Sequence, residues 1–248
     1  MNNEKVICDV KEITADAVKF SYPGEDLLNT VYKNRVKEII FDNGRVQTFS
    51  AGTSLKKVNN VDEFEKVTVT AVEGEIKGLY KLGVVSSKAK GTTTLSNQER
   101  VKERAYRKLK TEAAMMGANI IYITNQRTEG NKAGYFQSSS AEASLSGVAY
   151  TNNLPDYEEF KSILDSGKEF TTSIRHKMWS SASEVKTTKS AKDFKILEVI
   201  NDNGIITLKA ELEGESRQNS FRLAHLDKDG FSFYYEDKST SYNYEVKF

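Results

Sequence analysis

Apolar residues recur at helical spacing in one long segment of the chain, residues 97–116. The positions at steps of three and four residues are Val101, Ala105, Leu109, Ala113 and Met116. This period predicts an amphipathic α-helix with one buried face. Ser96 and Glu99 have the spacing of a capping box, which predicts that the Ser96 side chain caps the helix. Gly117 can adopt the left-handed conformation that ends a helix, so we expect the helix to end there.

Strands are predicted on both sides of this helix. Before it, residues 67–72 alternate in polarity, and residues 80–85 form a mostly apolar run. After it, residues 120–123 are short and rich in β-branched side chains, which predicts a buried strand, and residues 141–149 mostly alternate small apolar residues with polar ones. The centre of the chain, residues 61–153, is therefore predicted as a domain with the order strand, strand, helix, strand, strand.

The two ends of the chain, residues 1–60 and 192–248, are predicted as small β modules. Both contain short segments of alternating polarity separated by Asn, Asp and Gly, the residues that favour tight hairpin turns. The predicted turns lie at 43–44, 201–204 and 227–230. We expect each end to form a small barrel or sandwich.

Residues 154–191 are predicted to connect the centre to the second β module. Asp156 can cap a short helix that ends near Gly167, and residues 169–179 have the pattern of a strand. The Ser/Thr/Lys-rich run 180–192 is typical of a linker. The fold class expected from the whole pattern is α+β: three small modules, with β-rich barrel- or sandwich-like ends flanking the central domain.

Three short motifs give the centre a family resemblance. They are GLYKLGVV at 78–85, AAMMGAN at 113–119 and GVAY at 147–150. Over about residues 65–152 the chain resembles the YbjQ/RcsF-type domain, a small α+β domain of bacteria. The resemblance implies a binding or signalling role, since several such domains belong to envelope lipoproteins, and it implies ring-like self-association.

Two departures limit what this resemblance implies. The RcsF-type sensors use cysteine pairs and one sub-family has been labelled heavy-metal-binding, but residues 65–152 contain neither cysteine nor histidine. The first β module, residues 1–60, resembles a short module at the start of exported Bacteroidetes proteins of unknown function. That likeness implies an exported protein.

Charge and composition exclude several classes. The formal net charge is only +1, so no global electrostatic attraction to nucleic acid or anionic membranes is expected. Cys8 is the single cysteine, which rules out an internal disulfide. No apolar run approaches the roughly 20 residues of a membrane span. No signal peptide is recognisable as the sequence is written, which predicts a cytoplasmic protein, or a periplasmic or envelope protein if the N-terminus was trimmed.

The candidate chemistry is sparse. No phosphate loop, nucleophile elbow or Cys-x-x-Cys pair is present, so we expect no catalytic residue, metal or cofactor. His176 and His225 are the only histidines, and they could serve metal or acid–base chemistry only if folding brings them within about 5 Å of each other or of a carboxylate cluster. The sequence from His225 to Gly230 approaches a calcium-loop template, but predicted strands flank it, which favours a β-turn.

Two surfaces remain as binding candidates. The helix 97–116 carries a basic face that could meet nucleic acid or lipid headgroups, although acidic residues interrupt it. Its members are Arg100, Arg104, Tyr106, Arg107 and Lys108. The second is a set of tyrosines in the last predicted strands, half of which should point away from the core. These are Tyr234, Tyr235, Tyr242 and Tyr244.

Three functions stay open at this point. The first is a non-enzymatic binding, signalling or structural protein of the bacterial envelope, acting through a protein partner or self-association. The second is a metal-dependent or hydrolytic enzyme that uses His176 and His225. The third is a cytoplasmic nucleic-acid binder that uses the basic helix.

Overall fold

Strands dominate the protein, and they lie in every part of the chain that the structure describes. The structure is a computed structural model, and it describes residues 5–49, 55–93, 95–131, 139–165, 169–179 and 184–248. Half of the chain is strand and 17% is helix, and the described residues form sixteen strands in four sheets. The α+β prediction is therefore wrong and the fold is β-rich. One long helix dominates the pattern of the centre, but twelve of the strands belong to the two ends.

The central domain is a four-stranded sheet with one helix packed against it. Its elements are β6 (Thr68–Thr70), β7 (Tyr80–Lys90), α1 (Gln98–Met115), β8 (Ile120–Glu129) and β9 (Glu142–Thr151). The strand order is β6-β8-β9-β7, with β6 parallel to β8 and the other pairs antiparallel. On β9 buried and half-buried residues alternate, so its small side chains face the helix.

The helix α1 buries the face that its periodicity predicts. Val101, Ala105, Leu109 and Ala113 are all at most 1% exposed. The predicted cap is wrong by one residue: the side chain of Asn97 accepts a hydrogen bond from the backbone N–H of Arg100 at 3.1 Å. The hydroxyl of Ser96 instead accepts from the N–H of Thr93 at 3.0 Å, so it closes the turn before the helix.

Seven strands form the C-terminal sheet, and its ends meet. They are β10 (Phe170–Trp179), β11 (Lys186–Lys189), β12 (Asp193–Asp202), β13 (Ile205–Leu212), β14 (Ser220–Asp227), β15 (Gly230–Asp237) and β16 (Thr240–Lys247). β10 pairs with β11 and β12 along one edge and with β16 along the other, which closes the sheet. We call this unit the closed sheet.

The segment 154–191 contributes to the closed sheet. Within the predicted linker, residues 186–189 form strand β11. The backbone of β11 pairs with that of β10, and this pairing does not depend on the polarity of the β11 side chains. Residues 180–183 of that linker, and the predicted helix end near Gly167, lie outside the described residues. The helix α2 (Tyr157–Asp165) begins after Asp156, whose carboxylate accepts from the N–H of Glu159 at 2.8 Å as predicted for a cap.

Aromatic side chains fill the closed sheet. Phe233 is fully buried and stacks on Phe194 at 4.0 Å and on Tyr244 at 5.4 Å between ring centroids. Phe160 of α2 meets the ring of Phe231 edge-on at 5.3 Å, so α2 packs on the same core.

The first module, residues 5–49, consists of two small sheets. The first sheet contains β1 (Asp9–Ile13), β2 (Ala17–Ser21) and β3 (Asn29–Tyr32), and the second contains β4 (Glu38–Ile40) and β5 (Val46–Thr48). The turn between β4 and β5 carries Gly44 at φ +80°, which confirms the predicted hairpin. The module contacts the central domain through Asp16 and Lys77 at 2.8 Å and through Arg35 and the hydroxyl of Tyr80 at 3.1 Å.

The helix α1 is covered on both sides, by its own sheet and by the outer wall of the closed sheet. Asn243 of β16 donates to the carbonyl of Met115 at 2.8 Å, and Arg222 of β14 donates to the carbonyls of Leu82 and Met116 at 2.5 and 3.2 Å. Met178, Ala224 and Tyr234 of the closed sheet belong to the apolar cluster around α1. The central domain and the closed sheet therefore share one core at the C-terminal end of the helix.

Gly117 is required at this junction. It ends α1 with φ +83°, and a Cβ atom there would lie 2.4 Å from the carbonyl oxygen of Ala224. We expect Gly117→Ala to lower the free energy of unfolding by at least about 2 kcal/mol, because the left-handed backbone and the clash both penalise a side chain. Chemical denaturation measures this change. Gly74→Ala is the control, since a Cβ at Gly74 meets nothing within 4 Å; an equal loss in both variants would contradict the prediction.

Candidate functional site

The first module has a large exposed apolar surface and very little core. Of its apolar side chains in the described residues, only Ala17 and Val18 are buried, and neither joins the two main hydrophobic clusters. Eight of the fifteen large exposed hydrophobic side chains of the described chain lie in this module. They are Val6, Ile7, Tyr22, Leu27, Leu28, Tyr32, Ile40 and Val46, which we call the apolar surface. Exposed apolar side chains that lie next to each other mark interaction sites, and Ile40 and Val46 are such neighbours.

The β4–β5 hairpin carries two side chains of the apolar surface on paired strands. Ile40 and Val46 are directly opposite each other and are 63% and 52% exposed. A hairpin of two strands is marginally stable in water unless its apolar face is covered. This pair is therefore the part of the apolar surface at which a contact is best tested.

The basic helix side chains do not form one face. Arg104 donates to the carbonyl of Lys90 at 2.9 Å, while the hydroxyl of Tyr106 donates to Gln126 of β8 at 2.8 Å, on the other side of the helix. Arg107 lies over the ring of Phe64 at 5.3 Å, and Lys108 is only 3% exposed. Arg100 is exposed. The structure thus separates the residues that the sequence groups together.

The tyrosines do not form an exposed surface either. Tyr235 and Tyr244 lie inside the closed sheet, and Tyr242 is half-buried and stacks on Tyr235 at 4.7 Å. Tyr234 is 8% exposed and packs in the cluster around α1. Both faces of β15 are covered, one by the interior of the closed sheet and the other by α1. The tyrosines that were expected to point into solvent therefore do not form an exposed surface.

The two histidines have separate partners. His176 lies between the carboxylate of Glu245 and the hydroxyl of Thr187, each 3.0 Å from a ring nitrogen, and the hydrogen bond from His176 lowers the pKa of Glu245. His225 contacts the hydroxyl of Ser232 at 2.7 Å through Nδ1. Within the described ranges, no three His, Cys, Asp or Glu side chains are grouped as a metal site requires.

The segment that approaches a calcium loop is a β-turn. Asp227 accepts hydrogen bonds from the N–H groups of Asp229 and Gly230 at 2.8 and 3.0 Å. This confirms the preferred interpretation of the sequence, because the carboxylate is used to close the turn between β14 and β15.

Glu112 is a half-buried acid that the sequence does not single out. Its carboxylate accepts from the N–H of Ser86 at 3.1 Å and lies 3.4 Å from the hydroxyl of Ser241 on β16. Burial raises the pKa of Glu112 to about 7, and the nearby carboxylate of Glu236 adds to the effect. A glutamate on the polar side of a helix is ordinarily expected to face solvent. Glu112 is partly covered because the closed sheet packs against α1.

A polar cleft of about 80 Å³ lies where four segments meet beside this junction. The segments are 57–59, the turn after α1 at 117–119, residues 151–159 leading into α2, and residues 224–226 of β14. The side chain of Asn119 fixes the walls, since its Nδ2 lies 2.6 Å from Oδ1 of Asn152. Ligand sites favour such junctions between structural units. No sequence motif indicates this cleft, because its walls are far apart along the chain.

None of the helices in the described residues is both long enough and apolar enough to cross a bilayer.

Comparison with known protein families gives a match in the centre of the chain. Residues 61–151 match a family described as Domain of unknown function (DUF4156). No curated protein and no solved structure matches the chain. The matched residues contain the whole four-stranded sheet and α1, so the central domain is similar to this family of unknown function.

Proposed function

We propose that the protein is a non-enzymatic binding protein that self-associates through the apolar surface of its first module. The observation that carries this proposal is the contrast within residues 5–49: eight large apolar side chains are exposed and two small ones are buried. Covering apolar surface contributes about 25 cal/mol per Å², so a protein surface that packs against this module stabilises it.

A second copy of the chain suits this surface better than a strongly charged partner does. Residues 5–49 contain seven Lys or Arg and seven Asp or Glu. Two copies therefore meet without net repulsion, and opposite charges can pair around the apolar centre. In a two-fold dimer the same patch serves both copies.

The β4–β5 hairpin offers the geometry for such a contact. In the described residues each of its strands pairs only with the other, so each has an open edge. Two hairpins related by a two-fold axis can align antiparallel edges and form four strands, with Ile40 and Val46 of both copies on one face.

The test is the mass of the protein in solution, measured by sedimentation velocity over a concentration series. We expect a mass at least twice that of one chain, and we expect Ile40→Asp to give a monomer, because a carboxylate at the centre of the contact must be desolvated. Leu197→Asp is the matched control. Leu197 is 58% exposed on β12 of the closed sheet, so this variant should keep the wild-type mass. A wild-type monomer at all concentrations, or loss of association in both variants, would overturn the proposal.

The cellular location implied by the family resemblance is a separate prediction. We expect the protein in the bacterial envelope. The mature N-terminus and the cell fraction, determined by mass spectrometry after fractionation from the native locus, test it. An intact cytosolic N-terminus would remove the envelope from the proposed function and leave the self-association unaffected.

A further inference from the structure

The pairing of β10 with β16 places basic side chains on the interior face of the closed sheet. Residues directly opposite each other on paired strands have their side chains on the same face. Arg175 is opposite Tyr244 and Lys177 is opposite Tyr242, and both tyrosines pack with the interior cluster. Arg175 and Lys177 are themselves half-buried, so β10 directs two positive charges toward the interior.

Two further lysines lie close to these positions. Lys186 of β11 is directly opposite Lys177, and like charges in that arrangement are destabilising by themselves. Nζ of Lys192 is 6.0 Å from the centre of the Tyr244 ring and pairs with Glu215 at 3.1 Å. In the described part of the chain, no carboxylate lies within 4.0 Å of the charged nitrogens of the other three basic residues. The described residues therefore leave this end of the closed sheet with positive charge that is not neutralised.

The guanidinium of Arg175 is enclosed on one side and open on the other. Its Nε and the hydroxyl groups of Thr188 and Tyr244, on the two neighbouring strands, are buried and have no hydrogen-bond partner among the described residues. The two Nη atoms are not enclosed in this way, and Arg175 and Lys192 line a cavity of about 410 Å³. Glu213 also lines it, and its carboxylate accepts from a backbone N–H at 3.3 Å. An anion in the cavity can therefore reach the Nη atoms of Arg175.

The ammonium group of Lys177 has a fixed position near this cavity. Its Nζ lies 4.6 Å from the centre of the Trp179 ring and 5.1 Å from that of Tyr242. Arg175 and Lys177 are two residues apart on one strand, which separates their backbones by roughly 7 Å. Two cations in line at this spacing match an anion that carries charge at both ends better than an anion with a single charge.

We infer that this end of the closed sheet binds a diphosphate group, either free as pyrophosphate or as part of a larger ester. The Nη atoms of Arg175 would donate to one phosphate and Nζ of Lys177 to the other. The bound group would also relieve the repulsion between Lys177 and Lys186. The inference is independent of self-association, which involves a different module.

Titration of the full chain with sodium pyrophosphate, at constant ionic strength and without divalent cations, tests this inference by calorimetry and by tryptophan fluorescence. Trp179 is the single tryptophan and lies beside Lys177, so a ligand bound to Lys177 should change its emission. We expect saturable binding, with orthophosphate and acetate each binding at least about tenfold more weakly. Absence of saturable binding of pyrophosphate, or equal binding of orthophosphate, would overturn the inference.

Adenosine diphosphate distinguishes the two sources of the diphosphate group. Tighter binding of this ester than of pyrophosphate would support the group as part of a larger molecule, and weaker binding would support the free anion.

An exposed lysine on β12 supplies a matched control. Lys195 lies between Phe194 and Ile196, which both pack in the interior, so its own side chain faces outward. Arg175→Gln and Lys177→Gln should weaken binding at least about tenfold, whereas Lys195→Gln should leave it unchanged. Arg175→Lys and Lys177→Arg keep the charge and should bind more tightly than the glutamine variants, which separates the loss of charge from a loss of fold. Equal effects of Lys177→Gln and Lys195→Gln would contradict the site.

Discussion

Glu112→Gln should stabilise the protein at neutral and alkaline pH, with an effect that disappears in acid. Burial raises the pKa of Glu112 from about 4.5 to about 7 in the folded protein. The folded state therefore holds this proton more tightly than the unfolded state, so the contribution of Glu112 to stability is greatest below pH 4.5 and is lost as the pH rises through 7. The shift corresponds to about 3 kcal/mol of unfolding free energy above pH 7. Glutamine keeps an oxygen for the N–H of Ser86 and does not ionise.

Urea unfolding of both proteins between pH 4.5 and 8 measures this effect. The difference in unfolding free energy should grow from near zero to about 3 kcal/mol. The comparison has to be made against wild type, because His225 acts in the opposite direction: burial lowers its pKa from 6.5 to about 4, so its contribution to stability is lost as the pH falls through that range. That contribution is the same in both proteins and cancels. Glu99→Gln, in the exposed first turn of α1, is the control. A difference in unfolding free energy between Glu112→Gln and wild type that stays constant at every pH would refute the raised pKa of Glu112.

Phe233→Ala should lower the unfolding free energy by about 3–5 kcal/mol, the largest effect expected for one substitution. The side chain is fully buried between Phe194 and Tyr244, so its removal leaves a cavity and breaks two stacked contacts. Phe248→Ala is the control. Phe248 is 41% exposed, so Phe248→Ala should lower the unfolding free energy by less than about 1 kcal/mol.

The Phe233 variant also tests whether the two large units unfold together. Because the outer wall of the closed sheet covers α1, we expect far-ultraviolet circular dichroism and the near-ultraviolet signal of the tyrosines to change in one transition for both proteins. Two separate transitions in Phe233→Ala would mean that the central domain keeps its structure without the closed sheet.

Local features of this chain were predictable from sequence, and long-range pairing was not. The apolar stripe of α1, its end at Gly117 and the hairpin turns follow from residues close together in sequence, and the structure has them. The closure of β10 onto β12 and β16 depends on backbone pairing between distant residues, for which side-chain polarity gives no signal. The α+β expectation gave too much weight to the one long helix.

The candidate sites depend on the same long-range contacts. Tyr234 and Glu112 have the spacing of surface residues, yet Tyr234 is buried and Glu112 is half-buried, because α1 and the closed sheet cover each other. The cleft joins residues from four segments, so no local motif could indicate it. The exposed apolar side chains of the first module carry no distinguishing sequence pattern, and only the sparse core of this module sets them apart.

The closure of the sheet also sets the order of events during folding. Thr172 pairs with Val246, which lies 74 positions later (246 − 172), so a long loop must be ordered before this contact can form. The wall that receives α1 is built from β14, β15, β16 and β10, and it is complete only after that pairing. We expect helix α1, β8 and β9 to form earlier, because β8 and β9 pair residues that are at most 30 positions apart (150 − 120 for Tyr150 and Ile120). The second covering surface of α1 depends on the more distant pairing, and until that pairing forms we expect the C-terminal end of the helix to stay open to water and to other chains.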